Sequence, residues 1–138
     1  MKPETNLSRM LRMLGPELTS DRYVFCQVEQ KDAEVMGADC LGVFQEERGA
    51  TLILSRQLAE ENDLDYEFVF RKITLNVYSS LEAVGLLAEV TRTLAAEGIA
   101  VNVVSGHDHD HLFVLDPDAE QALRVLENLS ELKGPGQG

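Results

Sequence analysis

"YEFVFRKITLNVY", residues 66–78, carries apolar side chains that change parity midway. Tyr66, Phe68 and Phe70 alternate on even positions, whereas Ile73, Leu75 and Val77 alternate on odd ones. A strand has a period of two, so a change of parity turns the apolar set to the opposite face. Such a change marks a bulge, or a chain that leaves one hydrophobic core and enters another. The stretch therefore reads as a domain junction near Arg71-Lys72, within nearly continuous β structure. It divides the chain into an N-terminal unit over 1–71 and a C-terminal unit over 72–132. The polar remainder, "KGPGQG", is expected to be a disordered tail over 133–138.

Upstream of the junction, Leu7, Met10, Leu11 and Leu14 have helical spacing, and Gly15-Pro16 stops that extra N-terminal helix. "RYVFCQV" (22–28) reads as a strand. The acidic stretch 29–39 has room for at most a short turn of helix. "CLGVFQEERGATLIL" reads as two strands joined at Glu47-Arg48-Gly49, and Ser55 caps a short helix over 56–63.

Downstream, Ser79-x-x-Glu82 has the spacing of a capping box opening a helix that Gly98 ends. Val84, Leu87, Val90 and Leu94 are its expected buried stripe. Residues 99–104 and 109–115 read as a hairpin. Asp116 then caps a last helix with Pro117 in its first position, buried through Ala119, Ala122, Leu123, Leu126 and Leu129. Both halves follow the βαββαβ order, but the second lacks its last strand. The expected fold is thus α+β: two ferredoxin-like units, antiparallel sheets with helices on one face of each. An open sheet edge invites pairing, which motivates a homodimer.

The 138 residues carry a net charge of −12. That balance argues against nucleic acid and against anionic membranes, both of which reward clustered Lys and Arg. No apolar run approaches the roughly 20 residues of a membrane helix. "MKPETNLSRM" lacks the apolar core of a secretory signal, so the expected location is cytoplasmic. Cys26 and Cys40, without a Cys-x-x-Cys spacing, read as reduced core residues.

"ITLNVYSSLEAVGLLAEVTRTLAAEGIAVNVVSGHDHDHLFV" resembles the second half of the small bacterial proteins built from tandem ACT domains. "YVFCQV", "GATLIL" and "FRKITL" fit the first half, so the resemblance covers about residues 5–130. The family is distantly similar to the cytosolic arginine sensors of animal cells. The resemblance implies a regulatory protein, not an enzyme, that binds a small-molecule amino acid at an interface between ACT units. No cofactor or catalytic residue is expected, and an unidentified protein target fits such a role. The implied site is the loop between first strand and first helix: Ser79, Ser80, Leu81 and Glu82, with Gly85 beyond. Asn102 and Val103 of the adjoining strand are expected beside the ligand, and Asp108 or Asp110 is expected to hold its ammonium. Helix-start amides and a partial positive charge suit a carboxylate, and glycine allows close approach. Plain helix capping explains Ser79 and Glu82 as well, close packing explains Gly85, and an outward position on an open sheet face explains Asn102.

His107, His109 and His111 alternate with Asp108 and Asp110. Two histidines two apart on a strand lie about 6.5–7 Å apart on one face, a spacing that permits a metal. Zinc requires three or four protein ligands, and neither cysteine has a motif to join. The expected role is structural, with imidazoles hydrogen-bonded across the sheet or to Asp110, and no metal. By resemblance, "His109-Asp110-His111" matches the family pattern, whereas His107 and Asp108 stand where aromatics are expected. A metal protein or metal-dependent enzyme built on this cluster is one alternative. A protein-interaction scaffold with a vestigial pocket is the other.

Overall fold

The computed structural model describes residues 3–132, so the tail over 133–138 lies outside the described residues. In chain order the elements are α1 (Leu7–Arg12), β1 (Pro16–Val28), α2 (Gln30–Met36), β2 (Gly42–Glu46), β3 (Gly49–Ser55) and α3 (Arg56–Glu61). Then come β4 (Phe70–Leu75), α4 (Leu86–Ala96), β5 (Val101–Ser105), β6 (Asp110–Leu115) and α5 (Ala119–Leu132). Two compact units result. One is Ser20–Phe70, and the other joins the residues up to Thr19 with those from Arg71 onward. The second boundary falls after Phe70, one residue before the expected 71/72 division, and α1 packs with the C-terminal half.

In the unit Ser20–Phe70, β3 lies between β2 and β1, antiparallel to both. Val24 opposes Leu54, Cys26 opposes Leu52 and Val28 opposes Ala50. These residues form the core with Ala33 of α2 and Ala59 of α3. The β2–β3 hairpin closes at Glu46 and Gly49. Gly49 has φ +140, and a Cβ there would stand 2.3 Å from the Val28 carbonyl oxygen, so no other residue fits. Ser55 caps α3 as expected, its Oγ accepting from the Leu58 amide at 3.1 Å. The acidic stretch after β1 is a seven-residue helix followed by a 3-10 turn, more helix than its composition suggests. It holds because Ala33 and Met36, three apart, give it an apolar edge on the core.

The stretch 66–78 is less continuous than its alternation suggests. Strand β4 begins only at Phe70, and Tyr66 and Phe68 lie in irregular chain. Phe70 nevertheless packs with Phe25 (ring centroids 5.1 Å apart) and Phe68 (6.4 Å) in the one unit. Ile73, Leu75 and Val77 are buried in the core of the other. The parity change thus falls where the units divide.

In the second unit the strand order is β1, β4, β6, β5. The start of β1 supplies the strand that the C-terminal half lacks by itself, so β4 is not an edge and the edge argument for a homodimer loses its basis. Met10, Leu11 and Leu14 lie in one core with Leu94, Leu112 and Leu126. In α5, Ala119, Ala122, Leu126 and Leu129 are buried, and Leu123 packs at the margin.

Asp116 and Pro117 form a 3-10 turn ahead of α5, and the Asp116 carboxylate lies 3.6 Å from Arg71. One expected cap is absent. Helix α4 starts at Leu86, not Ser79, with Gly85 as N-cap. Its buried stripe is accordingly Leu86, Val90 and Leu94, while Val84 is 84% exposed. The capping box does not form because Glu4 captures the loop before the helix: its amide donates to the Tyr78 carbonyl (2.7 Å) and its carbonyl accepts from Ser80 N (3.0 Å).

None of the described helices is long and apolar enough to cross a membrane.

Candidate functional site: a cleft at the start of helix α4

Beyond β4 the chain runs as a loop over 78–84 and enters α4 through Gly85, which has φ +100. No side chain caps this end, and the first helical bond is Glu89 N to the Gly85 carbonyl (3.0 Å). The first-turn amides therefore have no intrahelical acceptor and carry the positive end of the helix dipole. The loop and this first turn line a cleft of about 200 Å³, with Ser79, Ser80, Leu81, Ala83, Gly85, Leu86, Leu87 and Ala88 on this side. The β5–β6 turn provides the other side: Ser105, Gly106, Asp108, His109 and Asp110.

Strand register accounts for that second wall. Ser105 opposes Asp110, on the sheet face that carries Leu112 and Val114 into the core. The cleft is the polar end of this apolar face. Between the strands, the Gly106 amide donates to the His109 carbonyl at 2.9 Å.

Of the residues singled out from sequence, Ser79, Ser80, Leu81, Gly85, Asp108 and Asp110 come together here. Glu82, Asn102 and Val103 do not line the cleft. Glu82 is exposed, and its amide donates to Ser80 Oγ at 3.1 Å. Val103 packs against the core. Asn102, one step along the strand, is exposed on the opposite face. Ser105, His109 and the first turn of α4 escaped sequence reading. The pairing of Ser105 with Asp110 was recoverable from a two-strand register, but the helix start was not.

The three histidines disperse. His111 Nδ1 lies 2.9 Å from Thr74 Oγ1, across the sheet on the face away from the cleft. His109 sits in the turn, not on the strand, with Nδ1 3.4 Å from the Val77 carbonyl oxygen. His107 Nδ1 lies 2.9 Å from Asp108 Oδ1. That contact holds the Asp108 carboxyl below the ordinary carboxylate range. Burial, followed by Lys72 and His109, holds the His111 imidazole below its ordinary value. Among the described residues no three His, Cys, Asp or Glu side chains converge on a point where a metal could sit.

A fold of two βαββαβ-type units is the architecture of an ACT protein. The chain belongs to the ACT-domain family: ACT-domain models match residues 2–71 and 67–128. Its overlap with a protein of unknown function from Vibrio cholerae, described as a "possible transport protein", is extensive. The two are 38% identical, with 90% of this chain and 95% of that one covered and a TM-score of 0.81. A protein from Agrobacterium tumefaciens shares the fold at 19% identity, covering 83% and 87%, with a TM-score of 0.70. The ligand-free regulatory subunit of aspartate kinase from Thermus thermophilus does so at 12% identity, covering 86% and 97%, with a TM-score of 0.64. No curated protein matches the chain.

Proposed function

We propose that the protein is a regulatory sensor that binds an amino acid in the cleft at the start of α4, without catalysis of its own. The observation that carries this reading is the pairing of two opposite chemistries across about 200 Å³. Uncapped first-turn amides on one wall suit a carboxylate. Asp108 and Asp110 on the other suit an ammonium. Ser79, Ser80 and Ser105 offer hydroxyls between them, and Gly85 leaves the approach to the amides open. Membership of the ACT family supports the same reading.

The proposed arrangement places the ligand at an interface between ACT units, in a cytoplasmic homodimer that signals to a protein target. The cleft's rim supports a covering partner, since Leu81 is 72% and Val84 84% exposed.

Thermal shift against the twenty amino acids tests the reading. A ligand that binds only the folded state stabilises it by about 2.7 kcal/mol at a hundred times its Kd. A rise in melting temperature with one or a few amino acids, lost in Gly85→Val, is the expected result. No shift with any of them, at millimolar concentration, would remove the sensor from consideration.

A further inference from the structure

We infer that strand β2, at the free end of the strand order in the unit Ser20–Phe70, is a docking edge for an extended, basic segment of a partner protein. The inference goes beyond the sensor reading and does not depend on what the cleft binds. β2 pairs with β3 along one side only, so the backbone groups of its other side have no strand beside them. Natural edges are commonly blunted with lysine, proline or a covering element. Residues 42–46, Gly-Val-Phe-Gln-Glu, contain neither lysine nor proline, and four of the five are exposed.

The edge is apolar on both faces. Phe44, 71% exposed, stands on the face of Thr51, and Val43, with Leu52 opposite, stands on the other. Leu41, just before the strand, is 49% exposed. Gly37 packs beside Val43, since a Cβ on the glycine would stand 3.3 Å from Val43 Cγ2. An added strand sets alternate side chains beside Phe44 and Val43, so that backbone bonds give affinity and side chains give selectivity. Charge selects the occupant. From Asp32 to Glu47 the chain has five acidic residues and no Lys or Arg. Asp39 precedes the edge and Glu47 follows it; both are exposed, and neither has an ion pair among the described residues. A second copy, paired antiparallel about a two-fold at Val43, would bring Asp39 of one chain opposite Glu47 of the other, like charge against like. A segment with Lys or Arg between apolar residues meets the same carboxylates with opposite charge.

Fluorescence anisotropy with a labelled peptide of alternating lysine and valine tests the inference. The controls are an isomer with the two residues in separate blocks and a peptide of alternating glutamate and valine. The alternating basic peptide should bind the full chain at least about fivefold tighter than either control, the scale of an interface anchor. Phe44→Ser and Asp39→Lys/Glu47→Lys should each weaken it by at least about the same factor. Their melting curves should stay close to that of the unaltered chain, because all three side chains are exposed. Amide shifts in an NMR titration should gather in residues 41–47. Equal binding of the two basic isomers, or undiminished binding by Phe44→Ser, would reduce the effect to general attraction by an acidic protein and overturn the inference. Shifts gathered elsewhere, or no binding of the alternating basic peptide, would overturn it as well. A dimer in sedimentation that Phe44→Ser dissociates would assign the edge to a second copy instead.

Discussion

Leu7 of α1 lies against Gly85: a Cβ built on the glycine would stand 3.3 Å from Leu7 Cδ2. The backbone adds a second constraint, since φ +100 is a conformation that L side chains rarely adopt. Gly85→Ala is expected to lower stability by about 1–2 kcal/mol, the cost of a left-handed residue. Gly85→Val, a branched side chain at the same φ, should cost more, so its loss of binding must be read beside its melting curve. Adding Leu7→Ala removes the neighbour but not the strain. Denaturant melts should therefore show little recovery in Leu7→Ala/Gly85→Ala, and full recovery would place the cost in the contact instead.

Met10 is fully buried in the core that contains Leu112 and Leu126. Met10→Ala is expected to cost about 2–5 kcal/mol, as other large-to-small core changes do. Hydrogen exchange should speed up in β6 and α5 and leave β3 close to its original rate. Loss of protection confined to β3 would contradict the assignment of α1 to the C-terminal half.

His111 should make stability depend on pH in a defined sense. Its folded imidazole is held below 6.5 by burial, then by Lys72 and His109, with Asp110 acting in the opposite direction. Between that lowered value and 6.5 the unfolded chain binds more protons than the folded one. The contribution is therefore complete above 6.5 and is lost as pH falls through the folded value. Compared with His111→Gln, the unaltered chain should lose more stability between pH 7 and pH 5 in urea melts. Parallel losses would show that the site does not titrate in this range.

Zinc added after chelation should not be taken up in stoichiometric amount. His107, His109 and His111 approach Asp108, the Val77 carbonyl and Thr74 respectively, so their rings do not share a ligand point. Elemental analysis after dialysis checks this. One tightly held equivalent that disappears in His109→Ala/His111→Ala would reverse the conclusion.

Ser55→Ala removes the oxygen that accepts from the Leu58 amide. The expected loss is about 0.5–2 kcal/mol, seen as a lower urea midpoint with an unchanged slope. An unaltered midpoint would mean that water replaces the cap without cost.

Residues close in sequence were read well where a single period governs them. The β2–β3 hairpin, the Ser55 cap and the α5 stripe depend on neighbours two to four residues apart, and each is present in the structure. Six of the nine residues that the family resemblance singled out line one cleft, whose two walls, 79–88 and 105–110, are brought together by the fold and not by local pattern.

Tertiary structure decided the rest. The start of β1 lies beside β4, more than fifty residues away, and the Arg71 Nε donates to the Thr19 carbonyl at 3.0 Å where they meet. No local pattern encodes that pairing, because backbone groups pair without regard to side chain. The helix after Ser79 starts six residues late: the backbone of Glu4 pairs with Tyr78 and Ser80 on either side of Ser79, and the Glu82 amide donates to Ser80 Oγ instead of to Ser79. Asn102 faces away from the cleft because alternation allows either face to be the inner one, and only the covering helices choose between them. The sequence alone determined where the chain turns, which side chains seek burial and that two cores form. Which distant segments cover those side chains, and hence where an uncapped helix end meets two aspartates, was settled only by the folded chain.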